Sequence, residues 1–130
     1  APTGLSSLLK ASFASFKAMG KWEELNNAVM AYVQDLSEKQ GITNLLYQSY
    51  PGVDPSICWM DKEGVFNWMM VKTMKENEEE PSFDQYIISK LKETGGKGHL
   101  AKVLLSNPNT QGILPRGEGV DIKMEIEDLN

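Results

Sequence analysis

Apolar residues recur along this chain at three- and four-residue intervals for most of its length, and at two-residue intervals only near its C-terminus. Stepped at 100° per residue, Leu5, Leu8, Leu9, Phe13, Phe16 and Met19 fall within one arc of about 140°, while Lys10, Lys17 and Lys21 form a separate stripe. This predicts an amphipathic first helix, capped at Thr3 or Ser6 and ended by Gly20. Trp22, Leu25, Val29, Val33 and Leu36 keep a second stripe on one face, closed by Gly41. Thr43 to Tyr47 reads as a short helical piece stopped by the turn pair Pro51-Gly52.

Asp54-Pro55 has the form of an N-cap followed by proline at the first helical position. It predicts one helix, or two broken near Asp61 to Gly64, running to about Lys75. In its second half Val65, Phe66, Trp68, Met69, Met70, Val71 and Met74 leave little polar surface, as in a helix at the centre of a domain. The acidic run Glu76 to Glu80 before Pro81 marks a stop, because acid disfavours a helix C-terminus. Ser82 with Gln85 forms a capping-box pattern, and Phe83, Ile87 and Leu91 follow on one face of a helix ending at Gly95-Gly96. Leu100, Val103 and Leu104 suggest one last short helix before Asn107-Pro108.

The tail changes period. Val120, Ile122, Met124 and Ile126 alternate with Asp121, Lys123, Glu125 and Glu127, the repeat of a half-buried strand. No comparable second strand stands out. The expected fold is therefore all-α: one compact helical domain of five or six helices over residues 1–106, a Gly/Pro-rich loop over 107–119, and an extended, strand-like C-terminal arm over 120–130.

Composition fits one soluble domain, since 130 residues is the usual size of one and 41% apolar residues suffice for a core. The net charge of -5 argues against unselective nucleic-acid binding, where Lys and Arg supply most of the affinity. That charge is unevenly laid out, +3 over residues 1–22 against -4 over 54–80 and -3 over 111–130, so the basic first helix suits an acidic surface. There is no run of about 18 apolar residues to span a membrane. The single Cys58 cannot form an internal disulfide and fits a reducing compartment without identifying it. A start at Ala1 in place of Met is what a processed or trimmed chain would show.

Candidate chemistry is sparse. One His and one Cys leave no catalytic triad and too few ligands for structural zinc. Asp54, Asp61 and Glu63 lack the spacing of a calcium loop, so no metal and no cofactor is expected. Gly95-Gly96-Lys97-Gly98-His99 is the most site-like stretch, a glycine-rich turn able to aim N–H groups, Lys97 and His99 at phosphate, although it does not match the phosphate-loop pattern. Four of the seven Met and two of the three Trp fall within residues 59–74, so Trp59, Phe66, Trp68, Met69 and Met70 could line an apolar cavity.

The leading expectation is a non-enzymatic interaction or assembly subunit that binds a protein partner or a second copy of itself. Its contacts would come from the arm, through Val120, Ile122, Met124, Ile126 and Leu129, and from Lys10, Lys17 and Lys21. The alternatives are a small carrier of a hydrophobic ligand and a phosphate-handling enzyme built on the Gly95–Gly98 turn.

Overall fold

The computed structural model describes residues 18–110 and 113–129. Helix α1 spans Lys21–Gln34 and runs on into a π-helical turn, Asp35–Lys39. Strands β1 (Leu45–Tyr47), β2 (Ile57–Met60) and β3 (Phe66–Lys75) follow, then helix α2 (Gln85–Lys92) and strands β4 (Lys97–Ser106) and β5 (Asp121–Asp128). The strands form one mixed sheet in sequential order. β1, β2 and β3 make an antiparallel meander, β4 lies parallel to β3, and β5 returns antiparallel to β4. Parallel neighbours need a long crossover, and here it is the acidic segment plus α2.

The expected all-α domain is thus overturned: the described residues build a five-stranded sheet with two helices. The physical reason lies in β3 and β4. Each is an interior strand with a helix on either side, and over Asn67–Val71 of β3 both faces are buried, so the sequence there carries no two-residue alternation. Asn67, Trp68, Met69, Met70 and Val71 are five consecutive buried residues. A run apolar on all sides reads equally well as a buried helix, which is how residues 65–74 were expected to fold. Thr43 to Tyr47, expected as helix, contributes β1, and the segment around Leu100, Val103 and Leu104 is β4.

The pleat of the central strands divides the core in two. Toward α1 point Met69, Val71, Ala101, Val103 and Leu105, packed with Ile57 and Trp59 against Leu25, Ala28, Val29, Val33 and Leu36. Toward α2 point Trp68, Met70 and Leu100, packed against Ile88 with Ile87 and Leu91 at the margin. The stripe expected over Trp22 to Leu36 is the buried face of α1, although Trp22 itself is exposed. α2 lies within the helix expected after Pro81 but starts two residues later, because its cap is Asp84 rather than Ser82: the carboxylate accepts from the N–H groups of Tyr86 at 2.9 Å and Ile87 at 3.4 Å.

The loop after β4 returns to α1, where Arg116 Nε donates to both carboxylate oxygens of Glu23 at 2.7 and 2.9 Å. Met19 donates its N–H to the Leu114 carbonyl, which ties the entry to α1 to that loop. The expected helix over residues 5–19, with Lys10 and Lys17, falls almost wholly outside the described residues. The C-terminal arm is a strand, as its alternation indicated. It is not unpartnered, because β4 pairs with it along its whole length, from His99 opposite Asp128 to Ser106 opposite Asp121.

Candidate functional site

Two features of the described residues stand out from the packed core: a polar network at one end of the sheet and an apolar rim along the β1 edge. The network starts in the β2–β3 turn. Gly64 takes φ 79°, a left-handed conformation that closes the turn, and its N–H reaches the Asp61 carbonyl at 3.0 Å. One oxygen of the Asp61 carboxylate accepts from the N–H groups of Glu63 at 2.9 Å and Val65 at 3.0 Å; the other accepts from the Asn67 side-chain amide at 3.0 Å. The Val65 N–H, joined by Asn67, Glu63 and the Lys97 ammonium 3.7 Å away, holds this carboxyl below the usual aspartate range against the opposing effect of burial.

From Asn67 the network crosses to β4 and β5. His99 Nε2 lies 2.8 Å from the Asn67 oxygen, and Nδ1 lies 2.6 Å from an Asp128 oxygen. The Trp59 ring stacks on the imidazole with centroids 5.3 Å apart and planes 17° apart. On its other side Trp59 meets Tyr32 of α1, ring centroids 5.9 Å apart. Burial pushes the Tyr32 hydroxyl up, Asp35 and Asp128 push it further, and a hydrogen bond with Gln40 pulls the other way. One side chain from each of α1, β2, β3, β4 and β5 therefore meets at this corner. Both ring nitrogens of His99 are engaged inside the network, so the arrangement braces β3, β4 and β5 against one another. Beside it an open hollow of about 350 Å³ is lined by Gln40, Ile42, Asp61, Lys62, Glu63 and Lys97. No group of three or more His, Cys, Asp or Glu suited to a metal occurs among the described residues.

The apolar rim lies at the opposite edge of the sheet from β5. Leu46 is 77% exposed and Tyr50 64%, and Tyr47, Val53 and Met60 are exposed in the same hairpin, Leu46 on the α2 side of the sheet with Cys58 and Tyr47 on the α1 side with Ile57. These five are half of the large apolar residues exposed among the described residues, and they fall within fifteen positions of sequence. The turn at Pro51-Gly52 joins Tyr50 to Val53, whose N–H reaches the Tyr50 carbonyl at 3.2 Å. Leu46, Cys58, Met60 and Phe66 border a shallow notch of about 70 Å³ on the same rim.

Residues singled out from sequence are scattered by this fold. Trp59 and Met69 belong to the core under α1, whereas Trp68, Met70 and Phe66 belong to the core under α2, so the five do not line one cavity. Gly95 takes φ 79° after α2, but a strand follows it rather than a helix, so the Gly95–Gly98 turn offers no helix N-terminus to a phosphate. Lys97 is paired with Asp61 and Glu63, and His99 lies in the network described. Ile122, Met124 and Ile126 share the α1 side of β5, Val120 packs on the core beneath α1, and Leu129 turns to the α2 side with its N–H on the Gly98 carbonyl. Lys21 opens α1, 3.9 Å from Glu24.

Sequence reasoning did not single out Asn67 or Asp128 as partners of His99, Tyr32 as the neighbour of Trp59, or Leu46, Tyr47, Tyr50 and Val53 as a surface. The signal for the rim was present: aromatic and aliphatic residues flank Pro51-Gly52, where a turn at the surface normally carries polar ones. No helix among the described residues is long and apolar enough to cross a membrane. No curated protein and no solved structure matches the chain. Residues 23–129 match the family described as a domain of unknown function (DUF8840), a span that takes in the whole sheet, α2 and all but the first two residues of α1, and the chain belongs to that family.

Proposed function

We propose that this domain is a protein-interaction module, a subunit that binds a protein partner through the rim of Leu46, Tyr47, Tyr50, Val53 and Met60. The observation that carries this reading is that half the large apolar residues exposed among the described residues lie in the β1–β2 hairpin, at one side of the sheet. Such clusters mark binding surfaces on soluble domains, and tyrosine brings large contact area at low entropic cost. β1 is three residues long and bears no strand on its outer side among the described residues, so a partner can extend the sheet there while its side chains cover the rim. Among the described residues the outer edge of β5 is a second open edge. Five of its eight residues are charged, however, the composition by which strand edges stay unpaired.

The test is site-specific photo-crosslinking in the native host, with the photoreactive residue at Tyr50, at Lys123 on β5, or at Lys90 on α2. The expected outcome is one dominant adduct from position 50, lost in the Leu46→Asp variant, whose melting temperature stays at the wild-type value because the side chain is solvated. An adduct to the chain itself would make the partner a second copy. Equal labelling from all three positions, or an adduct indifferent to Leu46→Asp, would overturn the reading.

A further inference from the structure

We propose that His99 is a proton-operated latch that holds the end of β5 on the sheet. The donors and acceptors of the corner network, apart from the rim, dictate this. Asn67 is buried, and its side-chain nitrogen donates to the Asp61 carboxylate and to the Val65 carbonyl, both at 3.0 Å. Those two acceptors fix the orientation of the amide, so its oxygen faces His99 and can only accept. On the other side of the ring Asp128 presents a carboxylate, which also only accepts. With an acceptor at each nitrogen, both bonds form together only when the imidazole carries both of its protons.

When the ring releases one proton to solvent, one bond is lost, and the surroundings decide which. Breaking the Nε2 bond would strand the buried Asn67 oxygen, because the amide cannot turn without losing Asp61 and Val65. Breaking the Nδ1 bond costs little, because the Asp128 side chain is 71% exposed and hydrates at once. The remaining proton therefore stays on Nε2, and the bare Nδ1 faces a carboxylate across 2.6 Å, two lone pairs in opposition. Asp128 lets go, and the adjoining Leu129, held by its N–H on the Gly98 carbonyl, loses its neighbour's anchor.

The groups that face the ring from the packed elements are Asp128 from β5, Asn67 from β3 with Asp61 behind it, Trp59 from β2, and Lys97 two positions earlier on β4. From α1 and its π-turn, Tyr32, Asp35 and Gln40 stand behind Trp59. None of them supplies a donor to Nδ1 in place of its lost proton.

His99 is the one histidine of the chain, so its ring nitrogens can be read without ambiguity by ¹⁵N NMR of the full-length protein. The ring nitrogens are followed over a pH series from acid to alkaline. At the acid end both nitrogens are expected to be protonated. At the alkaline end the proton is expected on Nε2, while protection of the Leu129 amide, referred to Val103 and corrected for intrinsic exchange, falls roughly threefold to tenfold. In Asp128→Asn the new amide can donate to bare Nδ1, so Leu129 protection should become indifferent to pH. An Nδ1–H tautomer at the alkaline end, flat Leu129 protection in the wild type, or unchanged pH dependence in Asp128→Asn would each overturn the latch.

Discussion

Gly98→Ala puts the packing of the two central strands to a direct test. A Cβ at position 98 would overlap Cζ2 of Trp68 and lie 2.6 Å from Cη2 and 2.9 Å from Cε2, where ordinary contact begins at 3.4 Å. Trp68 is fully buried among Met70, Ile88 and Leu100, so its ring has nowhere to withdraw without displacing α2. Overpacking of a filled core costs about 1–3 kcal/mol, and glycine in a strand ordinarily gives up about 0.5–1 kcal/mol relative to alanine. The two effects oppose, and the clash wins by roughly 1–2 kcal/mol. Equilibrium urea unfolding followed by far-ultraviolet circular dichroism measures this as a lowered midpoint at unchanged slope. The decisive control is Trp68→Leu, which removes the ring. That change alone is destabilising by about 2–4 kcal/mol through the cavity it leaves, but in its background Gly98→Ala should become neutral or mildly stabilising. If Gly98→Ala costs the same with and without the indole ring, or costs nothing in the wild type, the steric account of this glycine is refuted.

Three further outcomes follow from named contacts. Asp84→Ala should remove the N-cap of α2 and cost about 1 kcal/mol in thermal or urea unfolding, whereas Ser82→Ala should be neutral; a larger effect at Ser82 would place the cap there instead. Lys75→Met should destabilise by about 1–3 kcal/mol at neutral pH, because it leaves the buried Glu24 carboxylate without the ammonium 3.1 Å away. The hydrogen bond to Glu24, with Glu24 and Glu78 as neighbouring charges, holds Lys75 above its ordinary 10.5 despite burial. The contribution of the pair is thus complete below that value and is lost as pH rises through the folded one, so alkaline titration of stability should fall more steeply in the wild type than in the variant. Asp61 is shifted the other way, so its contribution is present above the ordinary 3.8 and is lost as pH falls through the folded value. Acid unfolding should accordingly be less steep in Asp61→Asn, and parallel curves would contradict the assignment.

How much of this molecule could be read from sequence varied with how each element is buried. α1 was legible because one face is solvated, so its apolar stripe stands out against Asn26, Asn27 and Gln34. β5 was legible for the same reason in a two-residue rhythm. β3 was not, because Trp68 and Met70 serve one core while Met69 and Val71 serve the other, which erases the rhythm. Its aromatic and β-branched residues, Phe66, Trp68, Val71 and Thr73, were the surviving hint of a strand. In β4 the spacing of Leu100, Val103 and Leu104 imitated a helical stripe, although Leu100 and Val103 point to opposite faces. That misreading carried a further one with it: with β4 taken as helix, the tail had no visible partner and looked like an arm free for another protein. At the corner network, Lys97 and His99 were conspicuous in the sequence. Asn67 and Asp128 were not, because they lie 32 and 29 positions from His99 and meet it only through the registers of β3, β4 and β5.

The division of the core into two layers has a spectroscopic consequence. The three tryptophans sample three different places: Trp22 is 49% exposed on α1, Trp59 is buried in the layer beneath α1 against His99, and Trp68 is sealed in the layer beneath α2. Variants that retain one indole at a time therefore report separately on solvent, on one layer and on the other. Coincident fluorescence transitions at positions 59 and 68 mean that the sheet couples its two sides into a single cooperative unit. Separated transitions mean that one helix can lift away while the other stays in place.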